Sequence, residues 1–171
     1  ETLAKREALG PFSATEVVPM ECFAPNEDCG FGMEFVPVPH RDEHADTHAV
    51  VIRGPSRSVL FLPDHDDWAQ TLGRHGASSI RQWLSDLKVD IALLDGSFWD
   101  SSELPGRDMS EIPHPTVTET LARLGERVEG DAEIHFIHLN HSNPLLGPGP
   151  EGEELSDLGW QVAVQGQQFA L

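Results

Sequence analysis

The amino-acid sequence predicts an α/β fold, a mixed sheet flanked by helices. Three observations carry that expectation. A hairpin pattern in the first half gives way to alternating strand and helix patterns. The helical stripes there are separated by short apolar runs of strand length. The resulting β-α-β-α-β order favours parallel pairing with right-handed crossovers. At 171 residues the chain is expected to be one domain, or a large part of one.

In chain order, Glu1 to Leu9 reads as a helix stopped by Gly10-Pro11. Glu16 to Met20 and Met33 to Val38 read as strands on either side of a Pro/Asn/Gly loop that holds Cys22 and Cys29, the two cysteines, expected as free thiols. Ala49 to Arg53 and Ser58 to Leu62 flank Gly54-Pro55-Ser56 as a hairpin. Ile80, Trp83, Leu84 and Leu87 fall at helical spacing, and Asp90 to Leu94 follows as a buried strand. Val117, Leu121, Leu124 and Val128 form a second stripe, opened by Pro115 and a Thr116-Val-Thr-Glu119 capping box. Glu133 to Ile137 is the next strand. A loop at Gly147 to Pro150, a short helix and a closing pair of strands around Gly166 end the chain.

Composition narrows the function. Asp and Glu total 29 against 11 Lys and Arg, a net charge of -18. Such a surface repels phosphate backbones and anionic lipid, so nucleic-acid and membrane partners are not expected. With no apolar run of about 20 residues and no signal-peptide pattern, the expectation is a cytoplasmic protein acting on a small molecule. Opening on Glu1 rather than Met, the chain is expected to be processed or a fragment.

The nine histidines are unevenly placed. His40, His44 and His48 precede a strand, His65 follows Asp64, and His135, His138 and His141 surround a strand end. In open α/β sheets, sites gather beyond the carboxyl ends of the strands. Three strand patterns end in Pro63-Asp64, Asp95-Gly96 and His138, which brings two carboxylates and a histidine to that edge. Imidazole and carboxylate are the donors expected for Zn, Mn or Fe. Each residue also has an ordinary reading. His44, His48 and His75 suit solvated or turn positions, Asp64 suits a cap, Asp66 and Asp67 suit solvated charge, and Asp95 suits a turn before Gly96. His135 and His138 lie an odd number of positions apart, so they face opposite sides of a strand, and His135 is read as structural.

Four motifs follow in order: Val38-Pro-His-Arg-Asp-Glu43 with Asp46-Thr47, Leu60-Phe-Leu-Pro-Asp64, Leu93-Leu-Asp-Gly-Ser-Phe-Trp99, and Ile137-His-Leu-Asn-His-Ser-Asn-Pro144. Together they resemble the later motifs of metallo-β-lactamase-fold hydrolases related to coenzyme PQQ synthesis protein B. A more distant resemblance is to the cyclic phosphodiesterase of phosphonate breakdown. The resemblance implies the carboxyl-terminal half of an αββα sandwich, with the sequence here as one partial domain. It implies metal ligands at His40, Asp64 and His138, Asp64 bridging two divalent ions (zinc, with manganese or iron as alternatives). His141 matches a second histidine near the site. His114 resembles a histidine near a substrate phosphate, and its place before a helix start adds exposed N–H groups that would favour an anion. Either histidine is a candidate proton donor.

The family's His-x-His-x-Asp-His run is missing from this sequence. The chain alone is therefore expected to bind metal weakly and to be nearly inactive. The missing half of the fold, or a second copy in a homodimer, is the expected partner. Hydrolysis of a phosphoester or similar small ester is the function that the resemblance implies. A PQQ-pathway-like oxidative or hydrolytic enzyme, and an inactive binding module, are its rivals.

Overall fold

The computed structural model describes residues 16–41, 45–109 and 112–171. The helix expected at 1–9 and His44 lie outside them. Among the described residues six strands form one sheet in sequential order. They are β1 (Gly32–Val38), β2 (Thr47–Arg53), β3 (Ser58–Leu62), β4 (Ile91–Asp95), β5 (Glu133–Ile137) and β6 (Gln161–Val162). The first three are antiparallel, and β3 through β6 are parallel. The helices are α1 (Trp68–His75), α2 (Ile80–Asp86), α3 (Val117–Leu124) and α4 (Pro150–Asp157).

Alternation along the strands separates the two faces of the sheet. The register Glu34–Val51–Leu60–Ala92–Ile134 runs across the helix-covered face. Its apolar members join Trp68, Leu72, Trp83, Leu84, Val117 and Leu121 in the buried core. The neighbouring register, Phe35–Val50–Phe61–Leu93–His135, crosses the other face. No described helix packs there, and Phe61 stays exposed. The carboxyl-terminal tail covers one edge of that face, where Phe169 meets the His135 ring edge-on at 5.1 Å.

Several expectations are corrected. Residues 16–20 form no strand: Pro19 has no N–H to offer a ladder, and Met20 turns the chain at φ 66°. Among the described residues one isolated bridge, Phe23 to Met33, extends the pairing beyond β1. Val128 is exposed and lies beyond α3, which Gly125 ends at φ 65°. The strands expected around Gly166 are a turn, and β6 pairs only with β5. Helix α1 was not foreseen; Asp67, read as solvated charge, is its N-cap and accepts from Gln70 N–H. His48 sits within β2 against Phe35. His75 donates to Pro37 O at 2.8 Å, so it is neither solvated nor turn-forming. Cys22 and Cys29 are free, as expected.

Candidate metal centre

The carboxyl ends of β3, β4 and β5 stop in register, Leu62 beside Leu94 and Asp95 beside Ile137. Asp64, Asp95 and His138 therefore emerge together. His40 arrives from the end of β1, fixed by Thr47 Oγ1 donating to its carbonyl and by Asp66 N–H donating to Pro39 O. His114 lies on the segment leading into α3.

The loop after β4 is the tightest piece of the site. Gly96 N–H donates to Ile137 O, and an added Cβ at Gly96 would lie 2.9 Å from Phe136 Cβ and 3.0 Å from Ile137 O. Only glycine permits that approach, which seats Ser97 against His138. Buried Asn143 donates to Gly96 O at 2.8 Å and holds the loop from the other side. His138 itself has φ 60°, unusual for a residue with a side chain.

Three imidazoles converge on one carboxylate oxygen. His40 Nε2 and His114 Nε2 each lie 3.9 Å from Asp64 Oδ1, and His138 Nδ1 lies 3.6 Å from it. Asp95, whose side chain is fully buried, takes His114 Nδ1 at 2.7 Å. Its other oxygen accepts from Ser97 N–H at 2.9 Å and Ser97 Oγ–H at 2.7 Å. Ser97 Oγ is also 2.9 Å from His138 Nδ1. On the far side, His40 Nδ1 lies 3.2 Å from Asp66 Oδ1.

Protonation follows from these neighbours. Burial pulls the His114 pKa down, but the Asp95 hydrogen bond and charge, with Asp64, outweigh it and raise the pKa. Behind the site His65 is fully buried, with Nδ1 2.9 Å from Thr71 Oγ1. Burial pushes its pKa down to about 4, despite the charge of Asp95.

The donor set fits a divalent metal. His40, Asp64 and His114 each offer a ligand atom within 4.8 Å of the others, as do Asp95, His114 and His138. Bonds of about 2.0–2.2 Å to N and O donors place ligand atoms roughly 3–4 Å apart, close to what is seen.

Four of the five residues singled out from sequence, His40, Asp64, His114 and His138, therefore come together. His141 stands at the rim: it is exposed, its Nδ1 is 3.1 Å from Asn140 Oδ1, and it lines a cavity of about 340 Å³ with Ser97, His114 and His138. One expectation fails. The first N–H groups of α3 are not open to an anion, because Val117 and Thr118 donate to Phe98 O and Trp99 O and Glu119 to Thr116 Oγ1. His114 is held by Asp95 instead. Ser97 stands inside the Leu93–Trp99 motif without an assigned role, and the structure sets its hydroxyl between Asp95 and His138.

The chain is 32% identical over 91 residues to coenzyme PQQ synthesis protein B of Cupriavidus necator, covering 48% of the chain and 30% of that relative. To the protein of the same name from Klebsiella pneumoniae it is 26% identical over 146 residues, covering 78% of the chain and 44% of the relative. It superposes on the crystal structure of Zn2+-bound PqqB from Methylobacterium extorquens with a TM-score of 0.63, over 91% of the chain and 55% of that chain, at 19% identity. The chain is similar in sequence to coenzyme PQQ synthesis protein B and shares the fold of the solved PqqB chain. It spans about half the length of the solved PqqB chain and less than half of the curated relatives it matches. No family model matches it.

Proposed function

We propose that the protein is a metal-dependent hydrolase acting on a small phosphoester or related ester, and that this chain supplies the second half of its fold. One observation carries the reading: three imidazoles meet at a single carboxylate oxygen, Asp64 Oδ1, at the carboxyl edge of a parallel sheet. The zinc of the M. extorquens PqqB structure supports it. Asp64, His40 and His138 would hold two divalent ions, zinc, manganese or iron. Such ions lower the pKa of a bound water towards neutrality and stabilise charge on the attacked group.

The remaining groups handle protons. His114, anchored through Nδ1 by Asp95, turns Nε2 inward and carries a proton to the leaving oxygen. Its raised pKa suits that task near neutral pH. His141 at the cavity rim holds or protonates the outer part of the substrate. The partner that fits the uncovered sheet face, with Phe61 at its centre, is the first half of the fold, a second copy being the alternative. A net charge of -18 favours a small substrate over nucleic acid or a membrane surface, and no described helix is long and apolar enough to cross a membrane.

A second reading is favoured by the names of the curated relatives: an oxidative, iron-dependent enzyme of the PQQ synthesis type. A form extended to include an upstream His-x-His-x-Asp-His run decides between them. Loaded with zinc or manganese, it should cleave bis(p-nitrophenyl) phosphate or a cyclic phosphodiester, and its Asp64→Ala variant should not. No cleavage, with oxygen consumed by the iron form, would replace hydrolysis with the oxidative reading.

A further inference from the structure

We propose that residues 167–171 form a releasable strap over the open sheet face, shut while the His135 ring beneath it is neutral and lifted when that ring takes a proton. No residue of the metal centre takes part, so the strap stands apart from the hydrolase reading. Gly166, at φ 84°, turns the chain back after β6. Gln167 closes the turn: its N–H donates to Val164 O at 3.0 Å, and its side chain accepts from Val164 N–H at 3.1 Å. Two anchors then hold the returning segment. Phe169 meets the His135 ring on β5. Leu171 sits against Gly54, where an added Cβ would lie 2.3 Å from Leu171 Cβ and 2.6 Å from its carbonyl carbon. Gly54 continues the alternation of Val50 and Ile52, so that missing Cβ would point out from the open face. Only glycine leaves room there for the segment.

Two rungs of the open face differ in a way that the strap explains. On the rung Phe35–Val50–Phe61–Leu93–His135, Phe61 is 43% exposed. On the next, Met33–Ile52–Val59–Ile91–Glu133, Val59 is 6% exposed and Ile91 0%. Neither belongs to the core beneath the helices. Strands β3 and β4 lie between the two anchors, so the strap crosses them at this rung. Lifting it would join Val59 and Ile91 to Phe61 as one apolar surface. That surface is on the face assigned above to the first half of the fold; this consequence rests on that assignment, and the strap itself does not.

The release lies in His135. It is 3% exposed, and its Nδ1 is buried without a hydrogen-bond partner. A neutral ring can leave one nitrogen bare, but a protonated ring carries N–H on both, and a buried charged donor with no acceptor is heavily penalised. Opening the strap lets water answer that N–H. Two charged groups act on the ring: Glu133 on β5, itself paired with Arg57 at 2.9 Å, and Arg127 from the loop after α3. The neighbouring positions on β4 and β6 are Leu93 and Gln161, and residues 167–171 carry no ionisable side chain. Burial, the largest effect, and Arg127 pull the His135 pKa down against the charge of Glu133. The open state therefore binds the proton more readily. Closure is at full strength above the ordinary histidine pKa of about 6.5 and weakens as pH falls below it.

Backbone 15N–1H correlation spectra of the full chain at about pH 7.5 and about pH 5, either side of that ordinary value, test the proposal. The Phe169, Ala170 and Leu171 amides report the strap, and those of Leu60 and Phe136 report the sheet. In the wild type the strap should be docked at the higher pH. At the lower pH the ratio of shut to open should fall by up to about 30-fold, the protonated-to-neutral ratio of a histidine with a pKa of about 6.5, while the sheet amides stay in place. His135→Phe, or His135→Leu should the larger ring overfill the site, should keep the strap docked at both pH values. Phe169→Ala should leave it open at both and bring the His135 pKa up towards its ordinary value. A wild-type strap still docked at the lower pH would overturn the proposal, as would equal release in His135→Phe and His135→Leu. Loss of the sheet amides ahead of the strap amides would overturn it too, because the strap would then not open as a unit.

Discussion

The two ends of the sheet solve the same problem with different cations. Both gather carboxylates. At the amino ends of the parallel strands each acid meets a guanidinium or a backbone N–H. Arg81 grips both oxygens of Asp131 at 2.8 and 3.0 Å and also donates to Glu126 O and Leu124 O. Arg53 pairs with Glu34 at 2.6 Å, and Asp90 accepts from Ser58 N–H at 2.7 Å. At the carboxyl ends, Asp64, Asp66 and Asp95 meet only imidazoles and Ser97 among the contacts described. A guanidinium stays charged at every physiological pH, so its pairs are permanent and structural. An imidazole changes charge near neutrality and binds metals, so its pairs are available for chemistry. A cavity of about 230 Å³ at the arginine end, lined by Leu84, Asp131 and Trp160 among others, has the Arg81–Asp131 pair in its wall and no comparable set of histidines.

That contrast is broken most strongly by removing its centres. Asp64→Ala and His138→Ala should each lower zinc affinity at least about 100-fold, roughly 2.7 kcal/mol, with little change in the unfolding midpoint; metal uptake unaltered in both would remove the site assignment. Arg81→Ala should do the reverse. Leaving Asp131 without its partner should cost about 2–3 kcal/mol, below the figure for a fully buried pair because Arg81 is partly exposed. Metal affinity in that variant should be unchanged, as calorimetry would show.

Acid titration sharpens the difference further. His65 is neutral in the fold, with its pKa pushed down to about 4. Between the unfolded value of about 6.5 and that folded value, the unfolded chain binds a proton that the folded chain refuses. Stability therefore falls as pH drops through this window, by an amount on the order of 3 kcal/mol. His114 opposes it: its raised pKa gives stability that is present at low pH and lost as pH rises through the raised value. The diagnostic is thus the difference between wild type and His65→Asn, whose denaturation midpoints should converge at pH 4–5 relative to neutrality. At the arginine end burial works against the Asp131 charge, but the Arg81 hydrogen bond wins and lowers its pKa. That contribution persists above the ordinary carboxylate value and disappears only as pH falls below it, so an Arg81→Ala difference that fades already at pH 6 would contradict the account.

The smallest expected effect is at the α3 cap. Thr116→Ala should cost about 1 kcal/mol through the lost bond to Glu119 N–H. Activity and metal binding should barely change, because the other early N–H groups of α3 are held by Phe98 O and Trp99 O.

Local signals were the ones legible from sequence. The Thr116 capping box, the Ile80-to-Leu87 stripe and the Gly54 hairpin all act over a few residues, and each places its element correctly. The strand-end rule likewise brought Asp64, Asp95 and His138 to one edge before any contact was known, whereas His40 came from the resemblance. Helix α1 was hidden because its buried face is made of Trp68, Thr71 and Leu72, too short a stripe to stand out after a run of acids. Asp66 and Asp95 looked like surface charge and a turn because their partners, His40 and His114, are 26 and 19 positions away in sequence. Those pairings exist only once β1, β3 and β4 lie side by side. Backbone breaks also misled: Gly125 stops the α3 stripe before Val128, although Val128 keeps the helical spacing.

The imidazole-bound carboxylates should form a metal centre and the guanidinium-bound ones should not. Cobalt titration of this chain, followed by its visible absorption and by calorimetry, tests it most directly. Weak but saturable binding should vanish in Asp64→Ala and survive in Arg81→Ala. No saturable binding, or binding that Asp64→Ala leaves intact, would contradict it.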